Sequence, residues 1–295
     1  MIISTETGGL GNRIKSWVSS MRLDKDTKVY WKVLPNMPAT FSELFSNNCQ
    51  VDTVPIKANT YKSWRLAVLP EDECILPNHF STVGAATHPI VRGIGKMLWE
   101  LKGRQTDRYR YMIYPKGHSK RSTRSDAKHI DLEYERIPAV IRNYYVPFFK
   151  QIQVKPEILK QADSWSKKNL DANVIGVQVR TWRDYQRRYR KYYIPSKKRL
   201  RTLLDKSKND ARFLVVSDSD EVTPWLSEIY GSNRILQFPR RTKRAESYAS
   251  VDGITEDLID LVLLSKTEQI FASYLSTFSE VAWWMGGARA KVSVF

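Results

Sequence analysis

The sequence predicts an α/β protein of two Rossmann-like halves facing a central cleft, and three observations carry that prediction. The chain opens on a strand, a glycine-rich turn, a helix and a second strand. Its second half alternates short β-branched runs with segments of helical period. Its 295 residues suffice for two domains of ordinary size and are too many for one small core.

In the first half, Met1 to Ser4 reads as a strand, and Thr5 to Gly11 as a turn holding Gly8, Gly9 and Gly11. Asn12 is placed to cap a helix whose Ile14, Trp17, Val18 and Met21 share one face. Lys28 to Val33 reads as the next strand. Phe41 to Phe45 then reads as a short helix, Val51 to Ile56 as a strand, Cys74 to Leu76 as another, and Met97 to Leu101 as helical. Tyr114 to Lys128, rich in Ser, Gly and basic residues, reads as an exposed loop. After Pro138 the run through Ile141, Tyr144, Tyr145, Phe148 and Phe149, then a polar helix from about Pro156 to Asn169, suggests a crossover into a second unit. The expected domains are therefore 1–155 and 156–295.

The second half reads in order as the strand Val174 to Val179, a helix around Lys197 to Lys206 and the strand Arg212 to Ser217. A helix from about Pro224 to Tyr230 and a strand at Arg234 to Phe238 follow. A helix from about Glu256 to Ser265, a strand at Gln269 to Ala272 and a helix after Ser276 complete it. No internal repeat is detected.

Composition narrows the function classes. At 42% hydrophobic and 12% aromatic residues the chain is too rich in large apolar groups to be disordered. No apolar run is long enough to cross a bilayer, and no charged leader with a hydrophobic core opens the sequence, so a soluble protein without an export signal is expected. Cys49 and Cys74 alone make no disulfide framework, which suits a reducing, cytoplasmic setting. His79, His88, His118 and His129 lack metal-ligand spacing, so no metal is expected. The formal charge of +17 implies an anionic partner: nucleic acid, a membrane surface or a phosphorylated ligand. Much of that charge lies between Arg183 and Arg201, interleaved with Tyr185, Tyr189, Tyr192 and Tyr193. Such a segment suits single-stranded nucleic acid, or is a solvated basic surface beside a phosphate site.

Three strand ends and one turn carry the candidate chemistry. Val174–Val179 is a run buried on both faces that stops on Arg180, whose planar cation suits phosphate or, alternatively, pairs with a nearby carboxylate. The glycine turn with Asn12 and Arg13 either closes tightly for structural reasons or brings backbone N–H groups to an anion. Asp218, after the strand Arg212–Ser217, either accepts hydrogen bonds from a base or ribose or caps the next helix. Ser276, Thr277, Phe278 and Ser279 form a helix start that is an ordinary cap or a phosphate nest. Three polar strand ends in one half favour a common ligand site.

These residues resemble the GDP-fucose-dependent transferase superfamily. The similarity rests on G-G-L-G-N-R near the start, V-I-G-V-Q-V-R in the middle, F-L-V-V-S-D-S, and D-L-x-x-L-x-L-L-S-K-T-x-x-I-x-A-S-x-x-S-T-F-S near the end. That superfamily includes bacterial α-1,2-fucosyltransferases, α-1,6-fucosyltransferases of the nodulation and core-glycan type, and protein O-fucosyltransferases. The resemblance implies a GT-B architecture and an inverting, metal-independent transfer of a sugar, fucose from GDP-fucose, onto a carbohydrate acceptor. It implies no cofactor beyond the nucleotide-sugar donor as co-substrate. The first domain would face the acceptor and the second would bind the nucleotide sugar, and the lack of a membrane anchor in the sequence leads us to expect a bacterial or viral host cytoplasm.

By the same resemblance Arg180 holds the β-phosphate, Asp218 reads the base, and Ser276, Thr277, Phe278 and Ser279 bind the diphosphate. Gly9, Gly11, Asn12 and Arg13 face the cleft. Gln178 and Thr181 stand where many relatives have the histidine and second arginine of H-x-R-R, which opens the alternative of another sugar such as xylose or rhamnose. Inversion needs a base for the acceptor hydroxyl, and Asp184 is the candidate, with pairing to Arg183 or Arg187 as its other role. Trp182 and Tyr185 are placed to stack on a sugar or to pack. A basic nucleic-acid-binding protein is the alternative from another class.

Overall fold

The computed structural model describes residues 2–21, 25–54, 74–76, 139–274 and 276–295. They fall into two compact units, one drawn mainly from residues up to Gln153, the other from Val154–Phe295 together with Leu34–Ala39. The sequence-predicted helix Met97 to Leu101, the loop Tyr114 to Lys128 and all four histidines lie outside the described residues.

In the first unit β1 (Ile2–Ser4) lies between β2 (Lys28–Val29) and β3 (Cys74–Leu76), all parallel. Ile3 pairs with Lys28 and Ser4 with Val29. That register ends β2 early: Lys28 to Val33 was expected as a strand, but β1 has no residue left to pair beyond Ser4. The expected strand Val51 to Ile56 is also absent over its described residues, Val51–Val54. Val29 forms an isolated bridge to Gln50 instead.

Helix α1 (Leu10–Met21) begins two residues before Asn12, correcting the expected cap. The ladder has already started, because the Arg13 amide donates to the Gly9 carbonyl at 3.1 Å. Ile14, Trp17 and Val18 are buried as the helical spacing predicts. Trp17 meets Phe41 and Phe45 edge-on at 5.2 and 5.6 Å, and Phe41 belongs to α2 (Phe41–Leu44), which carries a complete Thr40/Glu43 capping box. Helix α3 (Ala139–Phe149) completes the described part of this unit.

The second unit is a five-stranded parallel sheet in the order β6-β5-β4-β7-β8. Its strands are β4 (Val174–Val179), β5 (Arg212–Ser217), β6 (Ile235–Leu236), β7 (Gln269–Ala272) and β8 (Lys291–Val294). Every residue of the central strand β4 is buried, which explains its unbroken apolar pattern. The order runs outward from β4 through β5 to β6 on one side and from β7 to β8 on the other. The direction in which successive strands are added thus reverses between β4 and β7, the position at which open α/β sheets leave a crevice at their carboxyl ends.

Helices α4 (Pro156–Asn169), α5 (Ile194–Asp205), α6 (Val222–Tyr230), α7 (Val251–Ser265) and α8 (Thr277–Met285) connect and cover the sheet. A Cβ on Gly176 would come within 2.5 Å of Leu264 Cδ1, so the glycine lets α7 press against β4. Helix α5 starts earlier than Lys197 because Pro195 supplies a helical φ where no N–H is needed. Helix α7 starts at Val251 rather than about Glu256, because Ser250 accepts the Gly253 amide at 3.0 Å and caps it there. The expected strand Arg234 to Phe238 shortens to Ile235–Leu236, an edge strand pairing only with Phe213 and Leu214. Among the described residues no helix is long and apolar enough to cross a membrane.

Candidate functional site

The carboxyl ends of β4, β5 and β7 converge in the second unit. Ser273, just after β7, donates from its amide to the Gln178 carbonyl at 3.1 Å, and its hydroxyl donates to the same carbonyl at 3.2 Å. That hydroxyl accepts the Arg180 amide at 2.8 Å, so one serine locks the end of β7 to the end of β4. Asp218, just after β5, lies 3.0 Å from the Arg180 guanidinium and accepts the Thr181 amide at 2.7 Å. The carboxylate-pairing alternative for Arg180 is therefore realised. Asp218 is not the cap of α6, whose N-cap Glu221 makes no side-chain cap bond. The Arg180 side chain stays 34% exposed, so part of its cationic fork faces solvent.

Trp182 has φ of 58°, a left-handed conformation that bulky residues rarely adopt. Its ring takes the Arg180 guanidinium at 5.0 Å and the Arg188 guanidinium at 4.9 Å. The chain then forms a helical turn at Gln186–Arg188 and a wide π-helical turn at Tyr189–Tyr193 before α5. Tyr192 packs against Trp182 and Tyr274, and Tyr189 against Tyr193. Of the four tyrosines expected as a stacking platform, only Tyr185 is well exposed, at 54%. Most of those faces are already spent on packing, which weakens the nucleic-acid reading.

Asp184 has two partners. Arg183 lies 3.3 Å from it and Tyr248 donates its hydroxyl at 2.7 Å. Arg183 also donates to the Tyr248 hydroxyl at 2.9 Å and to the Ala245 carbonyl. Burial pulls the Arg183 pKa down, but Tyr248 and Asp184 outweigh it and leave the guanidinium above its ordinary value. Burial raises the Tyr248 phenol, with Asp184 adding to the shift and Arg183 opposing it.

The segment that brings Tyr248 here is anchored by a buried ionic cluster. Asp260, 1% exposed, lies 2.8 Å from Arg240 and 2.7 Å from Arg244. Glu256 accepts the Arg241 amide at 2.6 Å, and Asp220 accepts the Arg244 and Ala245 amides at 2.8 and 3.0 Å. Desolvation opposes ionisation of Asp220, but those two amides and the nearby arginines hold its carboxyl below the ordinary value. Sequence reasoning missed this cluster. Its one signal was an acid inside the apolar run Leu258-Ile259-Asp260-Leu261, since a buried carboxylate demands a buried cation.

At the β7 side, Ser276 caps α8 by accepting the Ser279 amide at 3.4 Å, so the ordinary-cap reading of that serine is realised. Ser279 is fully buried and donates back to the Ser276 carbonyl at 3.1 Å. Ser276, Thr277 and Phe278 remain half-buried at the positive end of the helix. Gln178 is buried at 4% exposure, with its Oε1 lacking a partner.

In the first unit Gly9 is exposed, Gly11 buried and Asn12 half-buried. Arg13 is turned inward at 2% exposure, donating to the carbonyls of Gly8 and Lys32, each at 2.8 Å. Its guanidinium lies 4.7 Å over the Trp31 ring, and burial lowers its pKa to about 10 against the opposing charge of Glu6. Arg13 thus fastens the glycine turn from behind. The described residues contain no group of three or more His, Cys, Asp and Glu able to hold a metal ion.

No family model and no curated protein sequence matches the chain. Its fold is similar to that of NodZ α-1,6-fucosyltransferase in a crystal soaked with GDP-fucose, at a TM-score of 0.50 and 13% identity, covering 96% of this chain and 92% of that one. Fucosyltransferase NodZ from Bradyrhizobium aligns at a TM-score of 0.49 and 14% identity over 95% of this chain and 92% of its own. The apo form of POFUT1 aligns at 0.49 and 13% identity over 100% of this chain and 97% of its own. The chain therefore has a fucosyltransferase-like α/β fold.

Proposed function

We propose that this chain is an inverting, metal-independent GT-B glycosyltransferase that moves fucose from GDP-fucose onto a carbohydrate acceptor in a cytoplasmic setting. The observation that carries this reading is the convergence on Arg180: a cation at the end of the central strand, braced by Asp218 and tied by Ser273 to the strand leading to the Ser276 helix start. GDP-fucose and GDP occur with fucosyltransferases of similar fold, which supports the choice of donor. In this reading residues 156–295 bind the nucleotide sugar.

The acceptor hydroxyl attacks the anomeric carbon from the face opposite the diphosphate. The sugar–phosphate bond breaks with its electron pair going to the β-phosphate oxygen. Arg180, fixed before the reaction by Asp218, opposes the charge that builds there, and the start of α8 adds the helix dipole. Asp184 takes the acceptor proton, with Tyr248 and Arg183 setting its orientation.

The test is a thermal-shift and transfer assay with a panel of nucleotide sugars. GDP at about 100 times its Kd should stabilise the protein by about 2.7 kcal/mol, and GDP-fucose should support transfer to a glycan. Turnover with a xylose or rhamnose donor alone would move the specificity to that sugar. Salt-sensitive oligonucleotide binding with no nucleotide effect would replace the reading by the nucleic-acid one. Chelator should leave turnover unchanged, and a strict manganese requirement would sink the metal-independent mechanism.

A further inference from the structure

A cavity of about 390 Å³ opens on the β5 side of Arg180, across β4 from the Ser276 helix start. Thr181 and Arg183 reach it from the end of β4, Ser219 and Glu221 from the end of β5. Tyr189, Arg190 and Tyr193 close it from the π-helical turn. Its volume lies in the range of small-ligand pockets. Two backbone irregularities, the left-handed Trp182 and the π turn, both occur in the segment that shapes it, and such features concentrate at functional sites.

The lining is built to meet a ligand. Thr181 is 2% exposed, yet its Oγ1 has no hydrogen-bond partner. The Arg183 Nη1 is likewise buried without a partner, while its other nitrogens are fixed by Asp184, Tyr248 and Ala245. Buried polar groups left this way call for an outside partner. The charged groups lining the cavity are Arg183 and Arg190 against the single carboxylate Glu221. Burial, with Tyr189, Glu221 and Asp218, holds the Tyr193 phenol protonated and so able to donate. Tyr193 and Glu221 suit the hydroxyls of a sugar, and the two guanidiniums call for an oxyanion.

We propose that this cavity is the acceptor pocket for a sugar unit carrying an oxyanion, a carboxylate or a phosphate. The proposal rests on the transfer reading above, which supplies the need for an acceptor beside Arg180. The pocket lies on the opposite side of β4 from the helix start assigned to the diphosphate.

The experiment is ligand-observed saturation-transfer NMR on the full chain with GDP present, using methyl glucuronide, glucose 6-phosphate and methyl glucoside as probes. At least one anionic probe should bind about tenfold tighter than methyl glucoside, a preference of about 1.4 kcal/mol. The glucuronide or the phosphate as the tighter probe separates carboxylate from phosphate. Arg190→Ala, at an exposed position, and Thr181→Val should each reduce that preference while GDP still raises Tm as in the parent. Equal affinity for all three probes, a preference that survives both substitutions, or displacement of the anionic probe by GDP would overturn the proposal. If GDP fails to raise Tm while the anionic probes still bind preferentially, the oxyanion pocket stands and the transfer reading falls.

Discussion

Arg13 and Arg180 both follow an apolar strand, Arg180 directly after β4 and Arg13 in the first turn of α1 beyond the glycine turn, and the fold gives them opposite work. Arg13 is buried, stacked on Trp31, and spends donors on the Gly8 and Lys32 carbonyls. Arg180 keeps a third of its side chain exposed and is held on one side by Asp218. The difference teaches that an arginine is available for an anion only where its neighbours leave donors facing solvent. Arg240 and Arg244, 3% and 2% exposed and matched to Asp260, belong with Arg13 as structural cations.

That contrast can be broken by substitution, and the largest effect should come from the structural side. Asp260→Ala leaves two buried guanidiniums without their shared carboxylate and should cost about 3–5 kcal/mol in denaturant unfolding. A loss below about 1 kcal/mol would remove the cluster from the framework. Arg180→Ala should lower turnover about 10²–10³-fold, as for loss of one preorganised donor to a developing oxyanion, with Tm little changed. Near-parental turnover would place the diphosphate elsewhere.

Arg13→Met keeps most of the volume over Trp31 but strands two carbonyls, so stability should fall by about 1–3 kcal/mol. If this variant instead keeps its Tm and loses only donor affinity, Arg13 joins Arg180 and the contrast disappears. The smallest effect is in pH dependence. Burial pushes Asp257 up to about 6, with Asp260 adding to the shift and Arg240 opposing it. The unfolded carboxyl titrates near about 3.9, so the native state holds this proton between those values. Its stabilising contribution is full below the unfolded value and is lost as pH rises through 6. Asp257→Asn should flatten that part of the stability profile, read from urea midpoints at steps between pH 4 and 7.

Local pattern made much of the second unit legible. Strands β4, β5 and β7 and helix α4 have the expected bounds, because unbroken β-branched runs and a helical polar segment are set by their own residues. The short elements were less legible. β2 ends where β1 has no further residue to offer, β6 is limited by its edge position, and β8 at Lys291–Val294 was not expected at all. Ser273 was passed over as a site residue because its role is to join two strands whose ends are 93 residues apart in the chain.

By itself the sequence determined the α/β class, the central buried strand and the type of each residue at its polar end, since these depend on periodicity and side-chain chemistry along a continuous segment. Only the tertiary structure decided which arginine is spent and which is open, that Asp218 braces Arg180 rather than capping α6, and that Tyr248 reaches Asp184. Those outcomes depend on which distant groups share a buried volume and satisfy one another's hydrogen bonds, a pairing that no local pattern encodes.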